Sequence, residues 1–249
     1  MSDYNRGYAR PIGAGSADMS VDAGLRSFML GVYNKVGLGL VLSGALSWLT
    51  SHEPVANLLF RVTADGRLAG YTLLGYAVAF SPLVIILASG FFMRAATPKN
   101  SGALYWTIVS LIGASMGVLL LVYTGMSVAT TFFVTAAAFG GLSLVGYTTK
   151  KDLSGFGTFL IMGMFGLIIA SLVNMFLHAP ALAFAINAIG VLIFAGLIAY
   201  DTQRLKTTYY QLGGDQAAMG VATNYGALSL YLDFINLFQF LLAFLGNRR

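Results

Sequence analysis

Two aspartates are the residues best placed to do chemistry, because each occurs in an apolar segment long enough to cross a membrane. Asp201 directly follows the apolar run 181–200, and Asp233 lies near the middle of the segment 222–246. The chain has nine acidic residues, and the other seven fall in tail or loop segments. A carboxylate at membrane depth is costly unless it is paired or hydrated, so both aspartates are candidates for a proton or ion site.

The positions of the two aspartates predict that their side chains meet. If both helices reach the same surface near residues 209 and 222, Asp201 lies about 12 Å and Asp233 about 16 Å below it. Two carboxylates in contact in a low-dielectric site do not readily ionise together, so such a pair would share one proton. The residues alone leave two functions open: a proton sensor or cation contact, and a dyad that only fixes helix register.

A stripe of polar residues runs along the last apolar segment. Ser229 and Asn236 share a helical face with Asp233, and Gln239 continues the series. A polar stripe is unfavourable against lipid, which predicts that this helix lies at the centre of the bundle. Ser229, Asn236 and Gln239 are therefore candidates to line a pore.

The composition predicts an all-α polytopic membrane protein with one domain. Of the 249 residues, 57% are hydrophobic and 9% charged, whereas a soluble domain is about one-quarter charged. The polar segment 1–28 predicts a disordered cytoplasmic tail, and 29–249 a seven-helix transmembrane domain. Seven segments have the ~20 apolar residues that a spanning helix needs. They lie near 29–50, 70–93, 103–123, 126–147, 156–177, 181–208 and 222–246.

The basic residues indicate a membrane topology rather than binding to nucleic acid. The net charge is +5, but the cations flank alternate spans, which by the positive-inside rule places the N-terminus in the cytoplasm. The chain has no cysteine, and its two histidines are far from any acidic cluster. We expect the bilayer as partner, no nucleic acid, no resident cofactor and no metal site built from histidine. The cytoplasmic set is Arg6, Arg10, Arg26, Arg94, Lys99, Lys150, Lys151, Arg204 and Lys206.

Four segments together resemble the Bax inhibitor-1 family, also called the transmembrane Bax-inhibitor-motif family, and in particular its bacterial members. They are S-L-Y-L-D-F-I-N-L-F at 229–238, A-Y-D-T-Q-R-L at 199–205, G-Y-T-T-K-K-D-L-S at 146–154 and A-G-L-R-S-F-M-L-G-V-Y-N-K-V at 23–36. The resemblance implies a seven-helix bundle with a central last helix, located in a bacterial inner membrane or a eukaryotic endomembrane.

The same resemblance implies a pH-sensitive cation leak, chiefly of calcium, with calcium as transported ion. Asp201 and Asp233 match the family's pH-sensing aspartate pair and are the candidate calcium contacts. Arg94, in F-F-M-R, matches an arginine that latches this pair. Some bacterial members carry a glutamate deep in the second helix, where this chain has the apolar stretch 81–88. No second carboxylate is therefore expected in the pore.

Two other functions compete with the leak. An intramembrane aspartyl protease needs G-x-G-D at its second aspartate and a later P-A-L, whereas Asp233 sits in Y-L-D-F and the P-A-L at 180–182 precedes both aspartates. We therefore expect no enzymatic activity. A non-conducting modulator of a membrane protease or another membrane complex, contacting its partner through the tail 1–28, stays open beside the leak.

Overall fold

The computed structural model describes residues 14–63, 68–92 and 96–248. Within these residues the chain is almost entirely helical, with one small hairpin of two antiparallel strands. The elements in chain order are α1 (Ala14–Thr50), α2 (Val55–Leu59), β1 (Phe60–Val62), β2 (Leu68–Tyr71), α3 (Leu73–Phe92), α4 (Pro98–Ser115), α5 (Gly117–Val122), α6 (Gly125–Thr148), α7 (Ser154–Leu177), α8 (Pro180–Gln211) and α9 (Gln216–Leu245).

Seven helical stretches among the described residues are long and apolar enough to cross a membrane, when α4 and α5 are taken together as Pro98–Val122. The predicted all-α polytopic membrane protein with seven spans is confirmed. The third span is interrupted at Met116, which separates α4 from the short α5. The hairpin and α2 lie between the first two spans, where the sequence predicted only a loop.

Helix α9 is the central helix, as predicted. Half of its apolar window is buried, against 11% in α3 and in α7. It packs against α1, α4, α6 and α8, and Leu230, Tyr231, Phe234 and Leu237 on it are at most 1% exposed. The large apolar side chains of α9 thus fill the centre of the bundle, where each of its neighbours finds a packing surface.

Small residues set the spacing of the helices around α9. A Cβ placed on Gly146 of α6 would overlap the backbone carbonyl of Ala199 on α8. A Cβ on Gly113 of α4 would stand 2.6 Å from the Cα of Ser43 on α1. Helices approach this closely in a membrane only where side chains are absent, because packing replaces hydrophobic attraction there. The contact at Gly146 holds α8 in the register that places Asp201.

Residues 14–28, which the sequence predicted to belong to a disordered tail, are helical in the structure. Helix α1 begins at Ala14, while residues 1–13 lie outside the described part of the chain. The reason is an apolar face with helical spacing that packs into the core. Its buried residues are Leu25, Phe28, Met29, Val32 and Val36.

The C-terminal residues are tied to the turn between α5 and α6. The backbone N–H of Thr124 donates to the carbonyl of Asn247 at 3.0 Å, and the Asn247 N–H donates to Ser127 Oγ at 3.0 Å. The Arg248 guanidinium lies 5.8 Å from the centre of the Tyr123 ring. This turn is at the opposite end of α6 from the α6–α7 turn. The chain therefore finishes at the end of the bundle opposite to residues 149–153, in agreement with seven spans.

Candidate functional site

The carboxyl groups of Asp201 and Asp233 meet in the interior of the bundle. Asp201 lies on α8 and Asp233 on α9, and these two helices pack along each other. The two residues are 5% and 6% exposed, and their carboxyls lie within hydrogen-bonding reach of each other. The structure thus brings together the two aspartates that the sequence placed at similar depth.

Asp201 has two polar partners besides Asp233. Ser229 Oγ donates a hydrogen bond to Asp201 Oδ2, and Arg204 Nη2 lies 3.2 Å from Asp201 Oδ1. The same guanidinium donates to Ser229 Oγ at 3.3 Å and lies 5.6 Å from the centre of the Tyr200 ring. Arg204 is 47% exposed. One face of the arginine therefore reaches the outside of the bundle while the other neutralises Asp201.

Asp233 has fewer polar partners than Asp201. Its Oδ2 atom is buried and has no hydrogen-bond partner among the residues that the structure describes. A buried charge without a partner is strongly destabilising. A proton held between Asp201 and Asp233 would avoid two adjacent charges. The two carboxyls are thus both buried but differ in the polar partners that the structure gives them.

Among the described residues, Arg204 is the cation that contacts the aspartate pair. The sequence analysis did not predict this ion pair. Arg94, the predicted latch, lies outside the described residues, so its part in the site stays a prediction. Arg204 follows Asp201 by three positions in D-T-Q-R, and residues at this spacing are neighbours on a helix surface. The spacing of three between Asp201 and Arg204 is the feature of the sequence that indicates the ion pair. The sequence analysis interpreted Arg204 only as a topological charge, because it also fits the positive-inside pattern.

The three residues of the polar stripe on α9 lie in different environments. Ser229 belongs to the aspartate site, whereas Asn236 Nδ2 donates to the Leu232 carbonyl of its own helix at 2.8 Å. Asn236 also lines a cavity of about 560 Å³ bordered by residues of α3, α7 and α8. Gln239 is exposed, so the prediction that the bundle encloses the whole stripe is wrong there. Helix α3 packs on α4 and not comparably on α9, which leaves this flank of α9 uncovered.

The residues beside Asp201 fasten α8 to its neighbours. Gln203 Oε1 accepts from the Leu153 N–H at 2.8 Å, and Gln203 Nε2 donates to the Lys151 carbonyl at 2.7 Å. Thr202 Oγ1 donates to Ser143 Oγ of α6 at 3.4 Å. These bonds tie the α6–α7 turn to the helix that carries Asp201, and they explain why polar residues follow Asp201 directly.

The aspartate site offers fewer oxygen ligands than a resident calcium ion takes. No group of three or more histidine, aspartate or glutamate side chains that could hold a metal occurs in the described ranges. Ca²⁺ takes six to eight oxygen ligands, whereas the site offers two carboxyls and the Ser229 hydroxyl, with Asp201 already paired to Arg204. The assignment of Asp201 and Asp233 as calcium contacts stays a prediction.

Comparison with known proteins places the chain in a family. The family model described as "Inhibitor of apoptosis-promoting Bax1" matches residues 25–249. The chain belongs to the Bax inhibitor-1 family. Among its relatives, a protein of Caulobacter vibrioides is 69% identical over 249 residues and covers 100% of both chains. Protein RP147 of Rickettsia prowazekii is 42% identical over 97% of this chain and 98% of its own.

A further relative of this Bax inhibitor-1 family chain is the inner membrane protein YbhL of Escherichia coli. It is 42% identical over 229 residues, which cover 91% of this chain and 94% of YbhL. The match includes nearly all of the transmembrane domain, so the family assignment rests on the whole bundle and not on the aspartate segments alone.

Proposed function

We propose that this Bax inhibitor-1 family protein is a pH-sensitive cation leak, chiefly of calcium, gated by the Asp201–Asp233 pair. The observation that carries the proposal is the contact of two buried carboxyls inside a seven-helix bundle, with Arg204 on one of them. Ionisable groups inside a membrane typically mark ion or proton pathways. The protein acts as a conductor and not as an enzyme in this proposal.

One proton controls the packing of α8 against α9 at the site. With the proton present, a hydrogen bond links Asp201 and Asp233 and holds the two helices together. Once the proton is lost, two charges face each other in a low-dielectric site and repel. Arg204 retains Asp201, so Asp233 is the carboxylate that moves away or attracts a cation. The gate opens as pH rises, and calcium passes the separated carboxylates.

The proposed location is the bacterial inner membrane, with the N-terminus in the cytoplasm. The relative YbhL is an inner membrane protein, and the positive-inside pattern supports the orientation. Under this topology Arg204 and the α6–α7 turn lie at the cytoplasmic end, so the aspartate pair responds to cytoplasmic pH.

Calcium flux into liposomes tests the proposal. Purified protein is reconstituted with an entrapped calcium indicator, and the rate of influx is measured between about pH 6 and pH 8, the range around neutrality in which a coupled carboxyl pair can titrate. We expect the wild-type rate to change with pH and the near-isosteric Asp201→Asn and Asp233→Asn variants to lose that change. Asp152→Asn, in the exposed α6–α7 turn, is the matched control and keeps the wild-type profile.

Two results would contradict the proposal in different ways. If both Asn variants at the pair keep the wild-type pH profile, the pair is a structural dyad and does not gate. If wild-type protein adds no flux over protein-free liposomes at any pH, the chain does not conduct. The non-conducting modulator of a membrane protease or other complex would then be the better explanation.

A further inference from the structure

An open groove runs between α1 and α6 on the outside of the bundle. Its volume is about 470 Å³, within the range of small-molecule sites. The two helices both pack against α9 but not closely against each other, which leaves the space between them open. The apolar walls are formed by Met29, Leu30 and Tyr33 of α1 and by Phe139, Gly140 and Leu144 of α6.

The groove opens towards the lipid-facing side of two spanning helices. Leu30 is 51% and Leu144 62% exposed, so its rim is apolar and accessible. Gly140 leaves room in the wall, because a Cβ added there would meet nothing within 4 Å. An apolar trough on a spanning surface suits a hydrocarbon chain and not a water-soluble ligand.

One end of the groove is basic. Arg26 borders it and is exposed. Tyr147 borders the same end, and Lys206 Nζ lies 5.4 Å from the centre of its ring and 3.3 Å from its carbonyl oxygen. None of the described side chains that line the groove is acidic. Arg26 in the lining and Lys206 beside the bordering Tyr147 therefore place two cations near one end of a mostly apolar surface.

We propose that this groove binds one anionic phospholipid, with an acyl chain between α1 and α6 and the phosphate held by Arg26 and Lys206. Charge complementarity selects this occupant, because basic pockets between spanning helices suit anionic headgroups. A zwitterionic lipid gains less from the two cations, and a soluble phosphate compound gains nothing from the apolar walls. The inference is independent of the aspartate pair and of conduction.

Native mass spectrometry of the full chain in detergent tests the site. Phosphatidylglycerol and phosphatidylcholine with the same acyl chains are added at equal concentration, and the lipid retained by each protein is counted. We expect wild type to retain one phosphatidylglycerol in preference. Arg26→Gln should reduce that preference about fivefold, which corresponds to ~1 kcal/mol for one basic residue.

Gly140→Trp should abolish retention of either lipid, because its ring fills the groove. Gly141→Trp is the matched control, since Gly141 is exposed, has open space around a Cβ and does not line the groove. It should bind lipid like wild type, and both tryptophan variants should stay monodisperse.

Four outcomes would overturn the inference. They are equal retention of the two lipids by wild type, undiminished retention by Gly140→Trp, displacement of the lipid by soluble glycerol phosphate, and loss of a wild-type dimer in Gly140→Trp alone. The third outcome would make the site a headgroup site without a chain. The last would make the groove an interface between copies of this chain.

Discussion

Asn224 should be one of the most stability-sensitive polar residues of the bundle. It is 3% exposed on α9 and joins three helices. Its Oδ1 accepts a hydrogen bond from Lys35 Nζ on α1. Its Nδ2 donates to the Pro98 carbonyl at 2.9 Å and to Ser101 Oγ at 2.8 Å, both on α4. Asn224→Ala removes all three bonds and leaves the Lys35 ammonium without that acceptor.

The cost of Asn224→Ala follows from these three bonds. Neutral interhelical hydrogen bonds in membranes are worth ~0.6 kcal/mol on average, so the two bonds to α4 contribute ~1.2 kcal/mol. A hydrogen bond to a charged group is worth ~1.5–3 kcal/mol. We expect the free energy of unfolding to fall by about 3–4 kcal/mol in Asn224→Ala and by ~1.5–3 kcal/mol in Lys35→Met.

A double-mutant cycle separates the free energy of the Lys35–Asn224 hydrogen bond from that of simple loss of packing. Because Asn224→Ala and Lys35→Met remove the same ammonium bond, the double variant should lose ~1.5–3 kcal/mol less than the sum of the single variants. Unfolding is titrated with sodium dodecyl sulfate in mixed micelles and followed by helical circular dichroism. Asn236→Ala is the matched control, since the one hydrogen bond described for its side chain is to its own helix, and it should cost less than ~1 kcal/mol.

Additivity would refute this reasoning. If the two single losses sum to the double loss within ~0.5 kcal/mol, the Lys35 ammonium and Asn224 do not interact in the folded protein. The same conclusion follows if Asn224→Ala costs no more than Asn236→Ala, because burial among three helices would then add nothing.

Two further predictions concern α6 and the turn that follows it. Gly146→Ala should lower the free energy of unfolding by ~1–3 kcal/mol through overpacking against α8, while Gly140→Ala, facing open space, stays within ~0.5 kcal/mol of wild type in the same titration. The pKa of Asp152 is lowered by hydrogen bonds from the Ser154 hydroxyl and backbone N–H. Its contribution to stability is therefore present above the unfolded pKa of ~3.9 and is lost as pH falls through the lower folded value. Thermal unfolding should show wild type above Asp152→Asn at pH 7, with the difference disappearing in acid; a difference that persists unchanged at about pH 2 would contradict this.

The spans were predictable because a membrane imposes one requirement on every helix that crosses it. About 20 apolar residues in sequence satisfy this requirement, and hydropathy is a local property that can be read in a window. Pro180 shows the same locality, since it begins α8 where a proline is best tolerated. The start of α1 at Ala14 was missed because residues 14–28 are polar on average, and their buried face becomes evident only when α1 packs on the core.

Side-chain contacts between helices were predictable only where two polar residues lie at the same depth in the membrane. Asp201 and Asp233 met this condition, since antiparallel neighbours place them at one level. Lys35 and Asn224 are separated by 189 positions, and neither local sequence indicates that the two side chains form a hydrogen bond. Gln239 was assigned to an enclosed stripe, but the exposure of a helix face depends on which neighbour packs beside it.

The sequence by itself determined the class of protein, the seven spans, the central last helix and the two aspartates that meet. These follow from the periodicity and length of apolar segments and from the cost of charge in lipid. Only the tertiary structure decided that Arg204 pairs with Asp201, that Asp233 lacks a described partner for one oxygen, and that a basic-ended groove separates α1 from α6. Each depends on how helices are rotated and spaced about α9, and this is set by contacts between residues that are distant in the chain.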